Sequence, residues 1–220
     1  SYDGSGSSIY VIFNDKVFRR TETDENGNIV NVYESSNAFS RTFNSNLGTL
    51  LCFGVDNDCS LDTVAHEYTH SVERSISNMV SSYETGAIKE GYSDVFGELV
   101  EVSVNNIGVS DWFHDDDRNI LNPLGSGNPV VYNGEKWYTG TEDRGGVHHN
   151  STVISHAAYL MSRDSQNGLL TYDELGDLWY NTLFFLPSNC SFMALRDYME
   201  MTAEILGFSD EKIECVMNAF

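Results

Sequence analysis

The run His66-Glu67-Tyr68-Thr69-His70 constrains this chain more than any other feature. In a helix, residues four apart share a face, so the two imidazoles stand one turn apart and converge on one point. The flanking sequence supports a helix from Leu61 to Ser77: Ser60 can cap it, and Asp62 lies in the first turn, where the helix dipole favours a carboxylate. Twenty residues past His70 comes Glu90, and four further on Asp94, on one face of a second predicted helix from Ala87 to Val104. That helix is marked by Ile88, Val95, Leu99 and Val102 at helical spacing. Two His and one Glu form a three-ligand set that leaves one coordination position open for water, as a catalytic zinc requires. Asp94 can then accept the other ring N–H of a ligating histidine and fix its tautomer. Glu67 is not needed as a ligand and is left beside water whose pKa the ion lowers to about 7.

The charge balance narrows the partners. Among 220 residues, 33 acidic against 12 basic side chains leave a net charge of −21. Such a surface repels phosphate backbones and anionic lipid, which argues against nucleic-acid and membrane-surface roles and favours cations. A content of 40% hydrophobic and 12% aromatic residues argues against disorder and supplies a sizeable core. There is no apolar run of 18 residues to span a bilayer. Without an initiator Met or a charged-then-apolar leader, the chain reads as a processed or trimmed product. Cys52, Cys59, Cys190 and Cys215 are an even set without a CxxC. They suit two disulfides of a secreted protein, a Cys190–Cys215 bridge closing about 25 residues and contributing roughly 3 to 4 kcal/mol. Four reduced cysteines of a cytosolic protein are the alternative.

The texture changes near residue 80. Ile9, Phe13 and Val17 fit a helical spacing, Asp24 to Gly27 is turn chemistry, and Ile29 to Tyr33 and Leu47 to Val55 read as strands. Residues 105 to 146 form a long irregular segment of the functional kind. Helices follow at Ser151 to Ser162, at Thr171 to Leu186 with a Thr171/Glu174 capping box and a stop at Pro187, and at Ser191 to Leu206 ending on Gly207. A short terminal helix carries Cys215 back toward Cys190. The fold class expected is α+β: a small mixed lobe over 1–80 with an edge strand and the HExxH helix, a mainly helical lobe over 81–220, and a cleft between them.

Three separated segments, HEYTH, Gly86-Ala87-Ile88-Lys89-Glu90-Gly91-Tyr92-Ser93-Asp94 and Gly145-Gly146-Val147-His148-His149-Asn150-Ser151, resemble in sequence and order the thermolysin family of secreted neutral zinc metalloproteases. The resemblance runs from about Ser35 to the C-terminus. It implies a thermolysin-like fold with a shortened N-terminal lobe, and a zinc endopeptidase that cuts peptide or protein substrates by attack of zinc-bound water. Zinc ligands would be His66, His70 and Glu90, with Glu67 the general base, His148 the donor to the oxyanion and Asp143 its orienting carboxylate. Arg118 would bind a substrate carbonyl, and Asn37-Ala38-Phe39 would be the edge strand that holds an extended peptide. The resemblance also makes a propeptide plausible, and places one calcium ion (Ca2+) on Asp62, Glu101, Asp111 and Asp116. Asp115-Asp116-Asp117 could equally be a solvated acidic loop.

The chain departs from the family at several positions. Ser81 stands where many relatives carry a second oxyanion donor, a Tyr, and the nearest Tyr is Tyr83; either Tyr83 substitutes or His148 acts alone. Lys89 stands where the family often has Asn. The stretch from Trp112 to Arg118 is much shorter than usual. His114 and His156 read as ordinary histidines. Two rivals remain: a zinc aminopeptidase, disfavoured because no Gly-x-Met-Glu-Asn element is present, and a non-catalytic, calcium-stabilised binding module, disfavoured because neither Glu67 nor a ligand is lost.

Overall fold

A computed structural model describes residues 6–15, 17–34, 36–42, 48–57, 59–105, 111–114 and 118–220. It is α+β. Five strands come first: β1 (Ile9–Asp15), β2 (Val17–Thr23), β3 (Ile29–Glu34), β4 (Ala38–Thr42) and β5 (Thr49–Gly54). They form a three-stranded sheet in the order β1-β5-β4 and a separate β2–β3 hairpin. The expected strands at Ile29 and in the segment up to Val55 are present, but Ile9, Phe13 and Val17 do not form a helix; they lie on β1 and at the start of β2. The coincidental four-residue spacing loses to pairing with β5, which β1 joins in parallel. The turn chemistry holds: Asn26 and Asn28 donate their backbone N–H to Asp24 Oδ1 at 2.9 and 2.8 Å. Central β5 is buried, with Phe53 fully enclosed, while β4 is at the edge of its sheet.

Helices α1 (Leu61–Ile76) and α2 (Tyr83–Asn105) bracket the HExxH run and the distant Glu. Then come two-residue strands β6 (Phe113–His114) and β7 (Arg118–Asn119), a 3-10 turn at Pro123–Ser126, and helices α3 (Asp143–Met161), α4 (Tyr172–Thr182), α5 (Phe192–Ile205) and α6 (Asp210–Ala219). The capping box at Thr171 and Glu174 is formed, and Ser191 caps α5 through the Ala194 N–H. α4 stops at Thr182, well short of Pro187. No helix among the described residues is long and apolar enough to cross a membrane.

The core lies between α2 and the later helices, around Tyr92, Ile154, Leu175, Leu178 and Trp179, all fully buried. Close approach of α2 to α3 needs Gly91: a Cβ there would lie 2.6 Å from Ile154 Cβ. This contact seats α2, which carries Glu90 and Asp94, against α3.

The expected disulfides are not formed. All four cysteines are thiols. Cys190 Sγ turns to the Ser191 carbonyl at 3.4 Å, whereas Cys215 Sγ faces the carbonyls of Met161 and Asn167 at 3.8 and 3.7 Å, a different neighbourhood. Burial, with Glu84 nearby, pushes the Cys190 thiol up to about 11. Cys52 is in the middle of buried β5, and Cys59 Sγ points to the Asn57 carbonyl at 3.6 Å.

Two measurements check this packing. Unfolded under non-reducing conditions, the chain should titrate with thiol reagent as four thiols; two or none would restore the bridges. Gly91→Ala should lower unfolding free energy by about 1 to 3 kcal/mol, since the added methyl overpacks a closed helix contact; an unchanged denaturation midpoint would contradict it.

Candidate metal centre and active-site cleft

α1 and α2 meet across a polar seam. His66 Nε2 and His70 Nε2 lie 3.4 and 3.2 Å from the same atom, Glu90 Oε2. Ligands about 2.0 to 2.1 Å from a tetrahedral zinc stand about 3.3 Å apart, so the spacing is that of a coordination edge. Among the described residues, Glu90 Oε2 is buried without a hydrogen bond. The three residues form a buried set of potential metal ligands, and their N2O donor chemistry fits zinc.

The flanking groups fix each ligand. His66 Nδ1 is 3.1 Å from Asp94 Oδ1. For His70 the partners are Glu73 Oε2 at 3.3 Å and Ser93 Oγ at 3.0 Å. Sequence reading did not single these out, although Glu73 lies three residues after His70 on the same helix. Arg144 Nη2 donates to Glu90 Oε1 at 3.3 Å and so orients the ligand carboxylate. Arg118, expected to meet substrate, has its Nε 3.2 Å from Asp94 Oδ1 while still lining the cleft. His114, which carries no functional signal in the sequence, is buried, stacks on His66 at 4.7 Å and has Nδ1 3.1 Å from Asp62 Oδ2. His156 is ordinary, its Nδ1 donating to the Ile120 carbonyl at 2.6 Å.

These contacts decide the protonation of the metal-free site. Burial disfavours an imidazolium, but Asp94 and Glu90 outweigh it at His66 and raise it to about 9. Glu90 and Glu73 do the same at His70, to about 10. Glu90 in turn is held well below the usual carboxylate range by His70 and His66, against its own burial.

Glu67 lines the same cleft, buried, and among the described residues its Oε2 has no hydrogen-bond partner. His148 Nε2 lies 3.5 Å from Glu90 Oε2. Asp143 grips His148 twice, accepting its backbone N–H at 2.9 Å and facing Nδ1 at 2.8 Å. That grip requires the chain to double back. Asp143, Arg144, Gly145 and Gly146 all have positive φ, from 48° to 97°, so regular helix begins only at Val147. A Cβ on Gly146 would strike the Tyr138 ring at 2.4 Å, leaving glycine as the residue that fits.

The cleft has a volume of about 1350 Å³ and reaches from Asn37 and Ala38 on one side to His148 on the other. The Asn37 carbonyl accepts the Gly54 N–H at 2.9 Å, so by alternation the main-chain groups of Ala38 and Ser40 face away from β5. Arg74 takes the Ser40 carbonyl at 3.0 Å, leaving the Ala38 positions toward the cleft. Ser81 lines the cleft and accepts a bond from Lys89 Nζ at 2.7 Å. Tyr83 is exposed, packs over Gly145 and is not among the cleft-lining residues.

The expected calcium ligands divide. Glu101 and Asp111 group with Glu98, which sequence reading missed although it stands one turn before Glu101; Asp62 groups instead with Glu98 and His114. Asp116 lies outside the described residues.

A model of the thermolysin metallopeptidase alpha-helical domain matches residues 77–220. The chain belongs to the thermolysin family. It is 35% identical over 179 residues to the thermostable neutral protease NprT of Geobacillus stearothermophilus, covering 73% of this chain and 32% of that protein. It is 34% identical over 178 residues to thermolysin of Alicyclobacillus acidocaldarius, with 73% and 32% coverage. Thus the chain spans about a third of the length of these curated relatives. Among solved structures, the precursor of protealysin, a metalloproteinase from Serratia proteamaculans, superposes with TM-score 0.68 at 25% identity, covering 84% of this chain and 63% of that one.

Because the folded values of His66 and His70 lie above their ordinary 6.5, the metal-free fold holds protons that the unfolded chain releases. This contribution to stability is complete below about pH 6.5 and is lost as pH rises through about 9 and 10. Zinc requires neutral imidazoles, so its uptake near pH 7.5 should release about two protons. Calorimetric titration in buffers of different ionisation enthalpy reads that number directly; a value near zero would contradict the carboxylate-held imidazolium pair.

Proposed function

We propose that this chain carries the catalytic centre of a secreted zinc metalloendopeptidase that hydrolyses internal peptide bonds. The observation that supports it most is the meeting of His66, His70 and Glu90 at one buried point beside Glu67. Zinc held by those three residues would supply Lewis acidity to the scissile carbonyl and a lowered pKa to the attacking water. Glu67 takes the proton of that water and later returns it to the leaving amine. Asp143 holds His148 so that its Nε2 can donate to the carbonyl oxygen as negative charge develops there, an effect worth roughly 2.7 to 4 kcal/mol. Arg118 positions a substrate carbonyl from the cleft wall. An extended peptide adds to the edge of β4 through the main chain of Ala38, with the Asn37 side chain assisting.

Residues 1–80 and 81–220 are the two lobes of this unit in our reading, with the cleft between them. Calcium binds around Glu101 and Asp111, with Glu98 as a further ligand, and neutralises carboxylates that otherwise crowd one another: burial, then Asp111 and Asp62, raise Glu101 above its ordinary value. The solved neighbour is titled a precursor, and a propeptide for this protein is part of the same proposal.

A quenched internal peptide with blocked ends tests the assignment. Cleavage should require zinc and stop under chelation; trimming of free amino termini alone would make the protein an aminopeptidase. Glu67→Gln should keep one equivalent of zinc while losing about 10² to 10⁴ in kcat. Full activity in that variant would remove Glu67 from the role of base.

A further inference from the structure

The ammonium of Lys89 has no task in the mechanism above. The residue is only 6% exposed, yet it lines the cleft. Its Nζ donates to Ser81 Oγ at 2.7 Å, and among the described residues it has no other hydrogen bond and no ion pair. An ammonium carries three N–H groups. Ser81 meets one of them, and because Lys89 lines the cleft the other two can donate to an acceptor that enters it.

The position of the ammonium is set by packing. Ser81 lies against Gly86, where a Cβ would be 2.8 Å from the Ser81 carbonyl carbon and 2.5 Å from Val147 Cγ1. Ser81, Gly86 and Val147 therefore form one wall, and the next residue on α3 is His148. Lys89 is also in electrostatic range of Glu73, Glu90, Arg74 and Arg144. Glu90 is committed to the imidazoles and Arg144, and Glu73 to His70 and Ser93. Bound substrate can supply that acceptor by displacing solvent from the cleft. An acidic side chain is one source, but a chain of net charge −21 repels acidic peptides on approach. A carbonyl oxygen arrives neutral and gains charge only in place.

We propose that Lys89, held by Ser81, is a further catalytic residue that donates a hydrogen bond to the scissile carbonyl oxygen as the attacking water adds to its carbon. This rests on the peptidase reading above. The new bond is from water oxygen to carbonyl carbon, the carbonyl π pair moves onto oxygen, Glu67 takes the proton, and Lys89 transfers none. Lys89 and His148 share the developing charge.

The test uses the zinc-loaded chain and four variants, Lys89→Met, Lys89→Gln, Lys89→Arg and Ser81→Ala, with zinc content and thermal unfolding as checks of integrity. On a blocked, uncharged internal peptide, Lys89→Met and Lys89→Gln should lose about 10- to 10³-fold in kcat with KM changed less than about twofold. Lys89→Arg should recover part of the loss, and Ser81→Ala should lose only several-fold. Affinity for a phosphonate analogue of the peptide, which carries charge where the oxyanion forms, should fall in proportion to kcat/KM. Product-peptide affinity should not move. Retained kcat in folded, zinc-replete Lys89→Met and Lys89→Gln overturns the proposal, as does a loss confined to KM for peptides with acidic side chains, which would make Lys89 a specificity residue. If the parent chain itself does not cleave when loaded, the peptidase reading fails and this one falls with it.

Discussion

Holding carboxylates and imidazoles together out of water is the constraint around which the rest is arranged. Glu73, Glu90 and Asp94 are buried within contact of His66 or His70. Buried charges persist only when partnered, since desolvating one alone costs several kcal/mol. The fold provides partners from far along the sequence: Arg118 reaches Asp94, and Arg144 reaches Glu90. Arg118 on β7 and Arg144 in the first turn of α3 thus serve the seam between α1 and α2.

Charge is distributed against the grain of the surface. Four of the twelve basic residues, Arg74, Lys89, Arg118 and Arg144, line one cleft of a protein with net charge −21. Three of them bind groups of the chain: a strand carbonyl, Asp94 and Glu90. Among the described residues, Lys89 is tethered only by a neutral hydroxyl. A cation held that way keeps its electrostatic capacity for whatever enters the cleft, which is why it stands apart from the other three.

How much of this was legible in sequence depended on the range of each interaction. That His66 and His70, and likewise Glu90 and Asp94, share a face could be read because each pair sits on one helix, where a spacing of four fixes geometry. β4 and β5 were legible from edge-strand resemblance and apolar patterning. β1 was misread because Ile9, Phe13 and Val17 satisfy a helical spacing by coincidence, and its strand state comes from parallel pairing with β5 some forty residues away. Arg144, His114 and Ser93 entered the site through tertiary contacts with no local signature. The cysteines misled for the same reason: an even count says nothing of distance, and Cys190 and Cys215 occupy separate surroundings.

The turn before α3 shows where the fold accepts strain to place one ring. Asp143 and Arg144 adopt left-handed backbone without being glycine, on the order of 1 to 2 kcal/mol each. The two following glycines hold the same conformation without that penalty. What the turn achieves is specific: a carboxylate five residues before His148 folds back onto both its backbone and its ring. A helix beginning normally at Asp143 would put residues 143 and 148 about 500° apart around the axis, on different faces, and no such grip could form. The same reversal directs Arg144 to Glu90. One strained turn therefore sets the orientation of the His148 imidazole and of the Glu90 carboxylate together, coupling the two through four residues of backbone.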